Sequence, residues 1–566
     1  MPRAARPNRK PFLSFTHWLL VLVAVNLVAR LPLCWDPATV DNDGAEYLAI
    51  ARHLRTSGQY ATDLKWQFFT ADPVRHLAWA DRPPLFPYLA LLYQRALPLV
   101  DPTAAARVGN AALACIALVL CAVYLRRLFG SRIALFATGF AFLLPHTLKW
   151  TTQPMTETVT LALTFGVLLI WDLASTPRRQ IESMSPPAAH DHSRLWAALA
   201  CGILSGLAYL ARPTGALLLL IVLAHNARHS LPLRLDGQRP TPAPQHLNAV
   251  ALLAGFASVA APYHLLLWRL YGNPFHSALG FTFAVQTYYE VSYYGFEAPQ
   301  PTVTAFLRSH WQAIPGLILL QVWRHVQILV PQLLPFLPVA PLLRRVAWSD
   351  RRWPAVALIA GTLLVHTLTW SAWGSSRYFL PCLPIAVAFI IATAERVAAE
   401  DTASPWVRLY VRWLPRIAWA GLAASVGLFY ATFARADRGL KEIPSWRLAA
   451  AEVRGAPLIA SDKPSILNLL LETPAVRLPR TTDPRQLARF ISAYQPGVLV
   501  LFADEPAERP MAEAWRAGRL PEGWHLDVDR GSLLIARPDA GRSSVPTSRP
   551  AVRRQLRQAE APAMVN

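Results

Sequence analysis

Apolar runs about as long as a bilayer is thick recur along this chain, and no other feature constrains its fold so tightly. The first reads FTHWLLVLVAVNLVARLPL, from Phe15 to Leu33. A helix rises about 1.5 Å per residue, so roughly 20 apolar residues cross a hydrocarbon core of about 30 Å. Runs of that kind fall at 13–33, 104–125, 132–149, 156–173, 195–211, 213–226, 247–270, 316–343, 354–371, 377–395 and 414–434. Composition agrees: 54% of the 566 residues are hydrophobic, only 16% are charged, and the mean hydropathy is +0.27. A soluble protein carries about a quarter charged residues. The sequence therefore predicts a polytopic α-helical membrane protein with about eleven transmembrane helices, and it excludes a single soluble core.

The formal net charge is +21. In a soluble chain that balance would suggest nucleic acid; here the cations sit in short loops between apolar runs, where membrane topology accounts for them. With the basic N-terminus 1–12 in the cytoplasm, alternate loops carry Arg126, Arg127 and Arg132; Arg178, Arg179 and Arg194; Arg228, Arg234 and Arg239; Arg344, Arg345, Arg351 and Arg352; and Arg396, Arg408, Arg412 and Arg416. The outer side then holds two long segments, 34–103 and 271–315. The apolar stretch Leu85–Val100 is broken by Pro87, Arg95 and Pro98 and reads as a membrane-dipping or surface segment. Counting it as a span would reverse the parity of every later loop.

Beyond the transmembrane region 13–434 the pattern changes. From 435 to 540, short apolar strands such as GVLVLFAD alternate with helical stretches such as DPRQLARFISAYQ, which predicts a small extracytoplasmic α/β domain. The tail 541–566, rich in Arg, Ser, Pro and Ala, reads as disordered. Of the five cysteines, Cys115, Cys121, Cys201 and Cys382 lie inside apolar runs and Cys34 lies at the edge of one; no spacing suits a disulfide framework or a CxxC metal site.

Directly after the first run comes TVDNDGAEYLAIARHL, with Asp41, Asp43 and Glu46 where the chain leaves the lipid. Carboxylates beside a bilayer are costly and tend to be functional. Tyr47, Ile50, Ala51 and Leu54 fall on one helical face, so a short amphipathic helix on the outer surface is expected, opened by Asp43-x-x-Glu46 as a capping box. Further on, Asp81 and Arg82 precede two prolines, Glu157 opens a span, Arg212 separates two apolar runs, and Arg377 and Tyr378 open another span. Each has an ordinary structural explanation: a cap, a surface ion pair, a helix-dipole partner, an interfacial cation, an aromatic belt. Taken together, Asp41, Asp43, Asp81, Arg82, Glu157, Arg212 and Arg377 map to one membrane face under a topology drawn from other residues.

The ordered segments DGAEYLAIARHL, RPPLFPYL, GLAYLARPTG, YGNPF and RYFLPCLPI resemble the GT-C superfamily of integral-membrane glycosyltransferases, in the bacterial branch of its dolichyl-phosphate-mannose–protein mannosyltransferase and aminoarabinose transferase type. The resemblance covers about 14–435. It implies a multi-pass protein of the bacterial inner membrane that transfers sugar, with inversion, from a polyprenyl-phosphate-linked donor to a glycan, lipid or protein acceptor on the outer face. Residue by residue it implies Asp43 as the catalytic acid residue near Tyr47, Arg82 as a donor-phosphate ligand with Arg212 and Arg377 beside it, and Asp41, Asp81 and Glu157 as supporting acids. Tyr47 and Tyr378 would belong to the substrate loops. Metal use varies in the family, so a divalent ion has room among these acids. One departure stands out: many members have Asp-Glu at the first site, and this chain has Asp43-Gly44.

The residue types suit the chemistry. An attacking hydroxyl must lose a proton, which a placed carboxylate can accept. The leaving polyprenyl phosphate gains charge, which guanidinium groups can stabilise. No Gly-rich nucleotide loop is present or needed. Two other classes remain open at this stage: a lipid-linked sugar flippase or other transporter, and a non-catalytic assembly or sensor protein acting through the outer α/β domain. A transporter would be expected to carry its ionisable groups near the bilayer midplane and to show repeated halves, and neither is seen here.

Overall fold

A computed structural model describes residues 14–35, 40–66, 68, 72–175, 187–230, 245–276, 296, 308, 311–345, 349–368, 376–400, 403–439, 445–503 and 506–539. The basic N-terminus 1–12, most of the second long loop 271–315 and the tail 541–566 lie outside the described residues.

Helix α1, Phe15–Cys34, is followed by α2, Asn42–Thr56, by three two-residue strands, β1 (Ala61–Thr62), β2 (Leu64–Lys65) and β3 (His76–Leu77), and by α3, Leu85–Ala96. The bundle continues with α4 (Pro102–Phe129), α5 (Ser131–Leu143), α6 (Pro145–Thr152), α7 (Glu157–Ser175), α8 (Pro187–Ala211), α9 (Ala216–Ser230) and α10 (Gln245–Tyr271). After the second loop come α11 (Ile314–Leu333), α12 (Trp353–Leu368), α13 (Cys382–Ala398) and α14 (Pro405–Gly439). Every apolar run singled out in the sequence carries helix. Among the described residues, 7 helices are long and apolar enough to cross a membrane, or 8 if the bent pair α5–α6 counts as one span.

That pair departs from the straight helix expected over 132–149. The chain bends by 67° between α5 and α6, where Pro145 opens α6 and brings no N–H. Arg30 of α1, fully buried, fills the break: Nη2 donates to the Phe142 carbonyl (3.5 Å) and to Thr151 Oγ1 (2.7 Å), and Nη1 donates to the Asn26 carbonyl (3.1 Å). A cation at the carbonyl end of α5 also meets the negative end of its dipole.

Close helix packing rests on small residues, as is usual in lipid. Gly202 and Gly206 of α8 face α10: a Cβ at Gly202 would lie 2.2 Å from the Leu252 carbonyl oxygen, and one at Gly255 of α10 would lie 2.4 Å from that of Leu199. The bundle core joins Leu118 and Tyr124 of α4, Phe140 of α5, Phe165 and Leu168 of α7 and Ile385 of α13.

The C-terminal part contains α15 (Ser445–Glu452), β4 (Ile459–Ser461), α16 (Pro464–Leu471), β5 (Ala475–Arg477), α17 (Pro484–Tyr494), β6 (Val498–Phe502), α18 (Arg509–Arg516), β7 (Trp524–Asp529) and β8 (Leu533–Pro538). Its strands form a 6-stranded sheet in the order β2-β5-β4-β6-β8-β7. The first three neighbouring pairs run parallel and the last two antiparallel. Residues of both faces are buried: Ile459, Val498 and Val500 pack with Ala449 and Leu467, while Ala460, Val476, Leu499 and Leu501 pack with Phe490 and Trp515. The edge strand β2 comes from the first loop, pairing Leu64 with Ala475 and Lys65 with Val476. The sheet thus ties the first loop to the C-terminal part across some four hundred residues of sequence.

This tie changes the expectation for α2. Its apolar periodicity suggested a helix lying on the outer surface, yet Gly44 to Leu54 are all buried. One side meets Phe86 and Ala90 of α3 and Ala106 of α4. The other is covered by α16: Arg52 donates to the Asn468 carbonyl (3.2 Å) and to its Oδ1 (3.3 Å), and Ser465 Oγ donates to Asn42 Oδ1 (3.1 Å). A covering element so distant in sequence leaves no trace in local periodicity.

Candidate functional site

The site begins at the first turn of α2. Asp41, not Asp43, is the N-cap, and its Oδ1 accepts the Asp43 N–H at 3.1 Å. The expected capping box is therefore shifted. Asp43 lies inside the first turn and Glu46, three residues on, shares its face. Both carboxylates are free to turn to Arg82 instead of to the backbone. Gly44 lies against the turn before α7, where an added Cβ would stand 3.1 Å from Pro154 Cγ and 3.4 Å from its carbonyl. The departure from an Asp-Glu pair thus has a steric reason: little room remains there for a side chain.

Arg82 enters from the loop before α3. Pro83 and Pro84 deny it a helical path, and the Tyr60 hydroxyl, donating to the Arg82 carbonyl at 3.0 Å, fixes its backbone. Its Nη2 donates to Asp43 Oδ1 (2.8 Å) and Glu46 Oε2 (2.6 Å), and its Nε donates to Glu46 Oε2 (2.9 Å). The guanidinium stands 5.3 Å from the Tyr47 ring centre, and that ring meets Phe86 edge-on.

Arg377, in a single 3-10 turn Ser376–Phe379, takes the other oxygen of Asp43: Nη2 donates to Oδ2 at 2.9 Å. Its Nε lies 3.3 Å from Glu157 Oε1, and Trp150 of α6 stands beneath its guanidinium at 5.2 Å. Arg212, between α8 and α9, donates from Nη2 to the same Glu157 oxygen at 3.0 Å and stacks on Tyr378 at 4.4 Å. Three carboxylates, Asp43, Glu46 and Glu157, thus alternate with three guanidiniums, Arg82, Arg377 and Arg212, in one continuous lattice.

The lattice is largely removed from water, and electrostatics follow. Burial acts to raise the Asp43 carboxyl, but Arg82 and Arg377 override it and hold the group well below the usual carboxylate range. Burial pushes Glu46 up, with Arg82 opposing. Burial and the neighbouring Asp43 push Asp41 up. Arg82 and Arg377 sit above their usual range despite burial, because carboxylates surround them. Glu157 differs from the other two acids: its Oε2 is buried and has no hydrogen-bond partner among the described residues.

Of the residues singled out from sequence, Asp43, Arg82, Glu157, Arg212 and Arg377 meet in the lattice, with Tyr47 and Tyr378 as its aromatic supports. Asp41 stands beside it as the helix cap. Asp81 is turned aside, accepting from His76 Nε2 at 2.9 Å. Glu46 was read as a capping partner and is a full member; its signal was its spacing of three from Asp43. Both oxygens of Asp43 and one each of Glu46 and Glu157 hold guanidinium groups. Among the described residues no group of three or more His, Cys, Asp or Glu side chains could hold a metal.

No protein-family model matches the chain, and no curated protein matches it in sequence. Solved structures do resemble it. ArnT from Cupriavidus metallidurans bound to undecaprenyl phosphate aligns with a TM-score of 0.54 at 15% identity, covering 93% of this chain and 99% of that one. The apo state of ArnT gives 0.55 at 15%, covering 92% and 98%. AglB, an archaeal oligosaccharyltransferase from Archaeoglobus fulgidus, gives 0.47 at 11%, covering 90% of this chain and 71% of that one. The chain shares the fold of ArnT over nearly the whole length of both.

Proposed function

We propose that this protein is an inverting glycosyltransferase, moving a sugar from a polyprenyl-phosphate-linked donor to an acceptor hydroxyl at the membrane face that carries Asp43. The observation that carries the reading is the lattice itself: a carboxylate held between arginines, beside a bilayer, in a fold shared with a protein solved with undecaprenyl phosphate.

In the proposed step the acceptor hydroxyl gives its proton to the Asp43 carboxylate as its oxygen bonds to the anomeric carbon. The bond from that carbon to the phosphate oxygen breaks on the opposite side, which inverts the centre. The donor phosphodiester carries one negative charge and the departing polyprenyl phosphate two, so charge grows on the phosphate as Asp43 loses its own. The arginines that pair with Asp43 are thus placed to follow the charge. With both oxygens engaged, Asp43 is a weak base until an incoming phosphate draws a guanidinium away. The donor would thereby activate its own base, and an empty site would take few stray protons.

The test is transfer of radiolabelled sugar from polyprenyl-phosphate donors in membranes containing this chain, wild type beside Asp43→Asn. General-base loss predicts a fall of about 10²- to 10⁴-fold with the protein still folded. Full activity in the variant overturns the role of Asp43. Labelled lipid that changes leaflet without forming a new glycosidic bond overturns the transferase.

A further inference from the structure

A groove of about 420 Å³ runs between α1, α5 and α14, lined by Trp18, Val21 and Val25 of α1, Leu135 and Leu143 of α5 and Trp419 of α14. Trp18, Val21 and Val25 are about half exposed, so the groove opens sideways from helices long and apolar enough to cross a membrane. Its floor is tight: a Cβ at Gly139 would stand 2.9 Å from Leu22 Cδ1 and 3.1 Å from Trp419 Cη2. The volume is in the range of small-ligand pockets, and the lining offers a ligand dispersion contacts rather than hydrogen bonds.

One end of this apolar slot is charged, and each of its three helices contributes. On α5, Arg132 precedes the lining residue Leu135 by three positions; on α14, Arg416 precedes Trp419 by three. On α1, Phe15 precedes Trp18 by three, and Arg126 of α4 lies over the Phe15 ring at 4.4 Å. Residues three apart share a helix face, so the cations stand about one turn, or about 5 Å, beyond the lining. The Tyr430 hydroxyl donates to the Ala29 carbonyl across a separation of 401 residues. Trp18 and Trp419 share that separation, as do Phe15 and Arg416. The helices α1 and α14 are therefore parallel and in register, with Arg416 at the level of Phe15.

These cations are only lightly committed. Arg126 and Arg416 are exposed and rest on rings, Arg416 over Trp413 at 4.6 Å, and neither forms an ion pair among the described residues. Arg132 is 80% exposed and stands 3.6 Å from Glu395 of α13. Three guanidiniums against one carboxylate leave the mouth of the slot positive.

A hydrocarbon slot that ends in guanidiniums fits a chain with a phosphate at its head. Guanidinium groups match phosphate geometry, and basic pockets between transmembrane helices hold anionic lipid headgroups. The loop arginines predict that this end is cytoplasmic. A polyprenyl-linked donor also has a chain and a phosphate, but it must bring that phosphate to the Asp43 face. Helix α1 runs away from the charged mouth, at Phe15, toward that face, at Cys34, so a donor would enter with the opposite polarity.

We propose that the groove between α1, α5 and α14 binds an anionic phospholipid, with one acyl chain in the slot and the phosphate on Arg126, Arg132 and Arg416. The slot ends at Leu143, the last residue of α5, beside the bend into α6. A chain seated there braces the bend whose far side carries Trp150 under Arg377. The site stands apart from the glycosyltransferase reading and does not depend on it.

The test is binding of phosphatidylglycerol to the purified full-length protein in detergent, read by native mass spectrometry, with phosphatidylcholine of the same chains as control. Phosphatidylglycerol should bind about tenfold more tightly. The double variant Arg126→Gln/Arg416→Gln should reduce that preference below about twofold, while Arg194→Gln/Arg228→Gln, outside the groove, should keep it. Val21→Trp fills the slot from a half-exposed position and should weaken phosphatidylglycerol about tenfold with the Tm held. No preference in the wild type overturns the proposal. Equal loss in the two double variants also overturns it, by showing general surface charge, and so does unchanged binding in Val21→Trp. Displacement of phosphatidylglycerol by equimolar undecaprenyl phosphate, lost in Val21→Trp, would assign the groove to the donor chain and overturn the occupant proposed.

Discussion

Helix α7 carries a buried carboxylate at each end, and the two are treated differently. Glu157 opens the helix and Asp172 lies fifteen residues later, about 22 Å away along the axis. Their side chains are 1% and 4% exposed. Asp172 is satisfied on both oxygens: Arg351 donates Nε to Oδ1 (2.6 Å) and Nη2 to Oδ2 (3.0 Å), while Arg127 donates to Oδ2. Two cations close on one anion, joining the ends of α4 and α7 to the start of α12. Glu157 instead shares one oxygen between Arg212 and Arg377 and leaves the other unmet. Complete satisfaction suits a fastener, whereas an unmet buried acceptor leaves hydrogen-bonding capacity for water or a ligand to complete.

The largest effect is expected at the saturated end. Asp172→Ala leaves Arg127 and Arg351 facing each other without their shared anion, which costs about 3–5 kcal/mol for a broken buried pair. Denaturant unfolding in detergent should show that loss, while sugar transfer per folded molecule stays within a small factor of wild type. If stability holds and transfer disappears, the two ends do not divide as argued.

At the other end the expectation reverses. Glu157→Gln keeps the shape, removes the unmet anionic oxygen, and leaves Arg377 still bound to Asp43 and Arg212 still on Tyr378. Transfer should fall about 10²-fold, as for loss of one preorganised electrostatic group, and the Tm should be no lower than wild type. A fall in Tm comparable to that of Asp172→Ala would make both clusters fasteners.

Much of this contrast was legible in the sequence. The apolar runs fall on helices, 7 of them long and apolar enough to cross a membrane, and the alternation of arginine-rich loops predicts one face for Asp43, Arg82, Glu157, Arg212 and Arg377, which the lattice brings together. The alternation of strands and helices after 435 matches β4 to β8. What stayed hidden depended on contacts between distant residues. Two residues, Leu64 and Lys65, are too few to read as a strand, and only pairing with β5 makes them one. Glu46 had a local explanation as a capping partner, and the arrival of Arg82 overrides it. The bend at Pro145 was within reach of local rules and was absorbed into a single span.

The loop that delivers Arg82 gives a smaller, titratable version of the contrast. Burial disfavours the charged form of His76, but its hydrogen bond to Asp81 more than compensates and raises its pKa, with Asp72 assisting and Lys65 opposing. A raised value means stability that is fully present below the unfolded histidine pKa of about 6.5 and is lost as pH rises through the folded value. The wild-type Tm should therefore decline more between pH 6 and 9 than that of His76→Gln. Parallel profiles would show that the pair adds nothing to the loop.

The smallest effect probes why the Asp43 end needs a second part of the chain at all. Asp172 is held by Arg127 and Arg351 of the bundle, whereas the first turn of α2 leans on α16 through Ser465 Oγ and Asn42 Oδ1, one residue from Asp43. Ser465→Ala removes one hydrogen bond and should cost about 0.5–1.5 kcal/mol of stability. Arg52 and the β2–β5 pairing still hold the C-terminal part in place, so transfer should drop less than about threefold on the scale of such a bond. That outcome makes α16 a buttress that keeps the start of α2 from rotating Asp43 out of the lattice. A loss of transfer far beyond the loss of stability would place the start of α16 inside the site, with Ser465 touching an acceptor that the bundle alone cannot position. Asn42→Ala separates the two cases, because it removes the same hydrogen bond from the other partner. A buttress predicts equal effects from the two substitutions, and an acceptor contact predicts that Ser465→Ala is the worse.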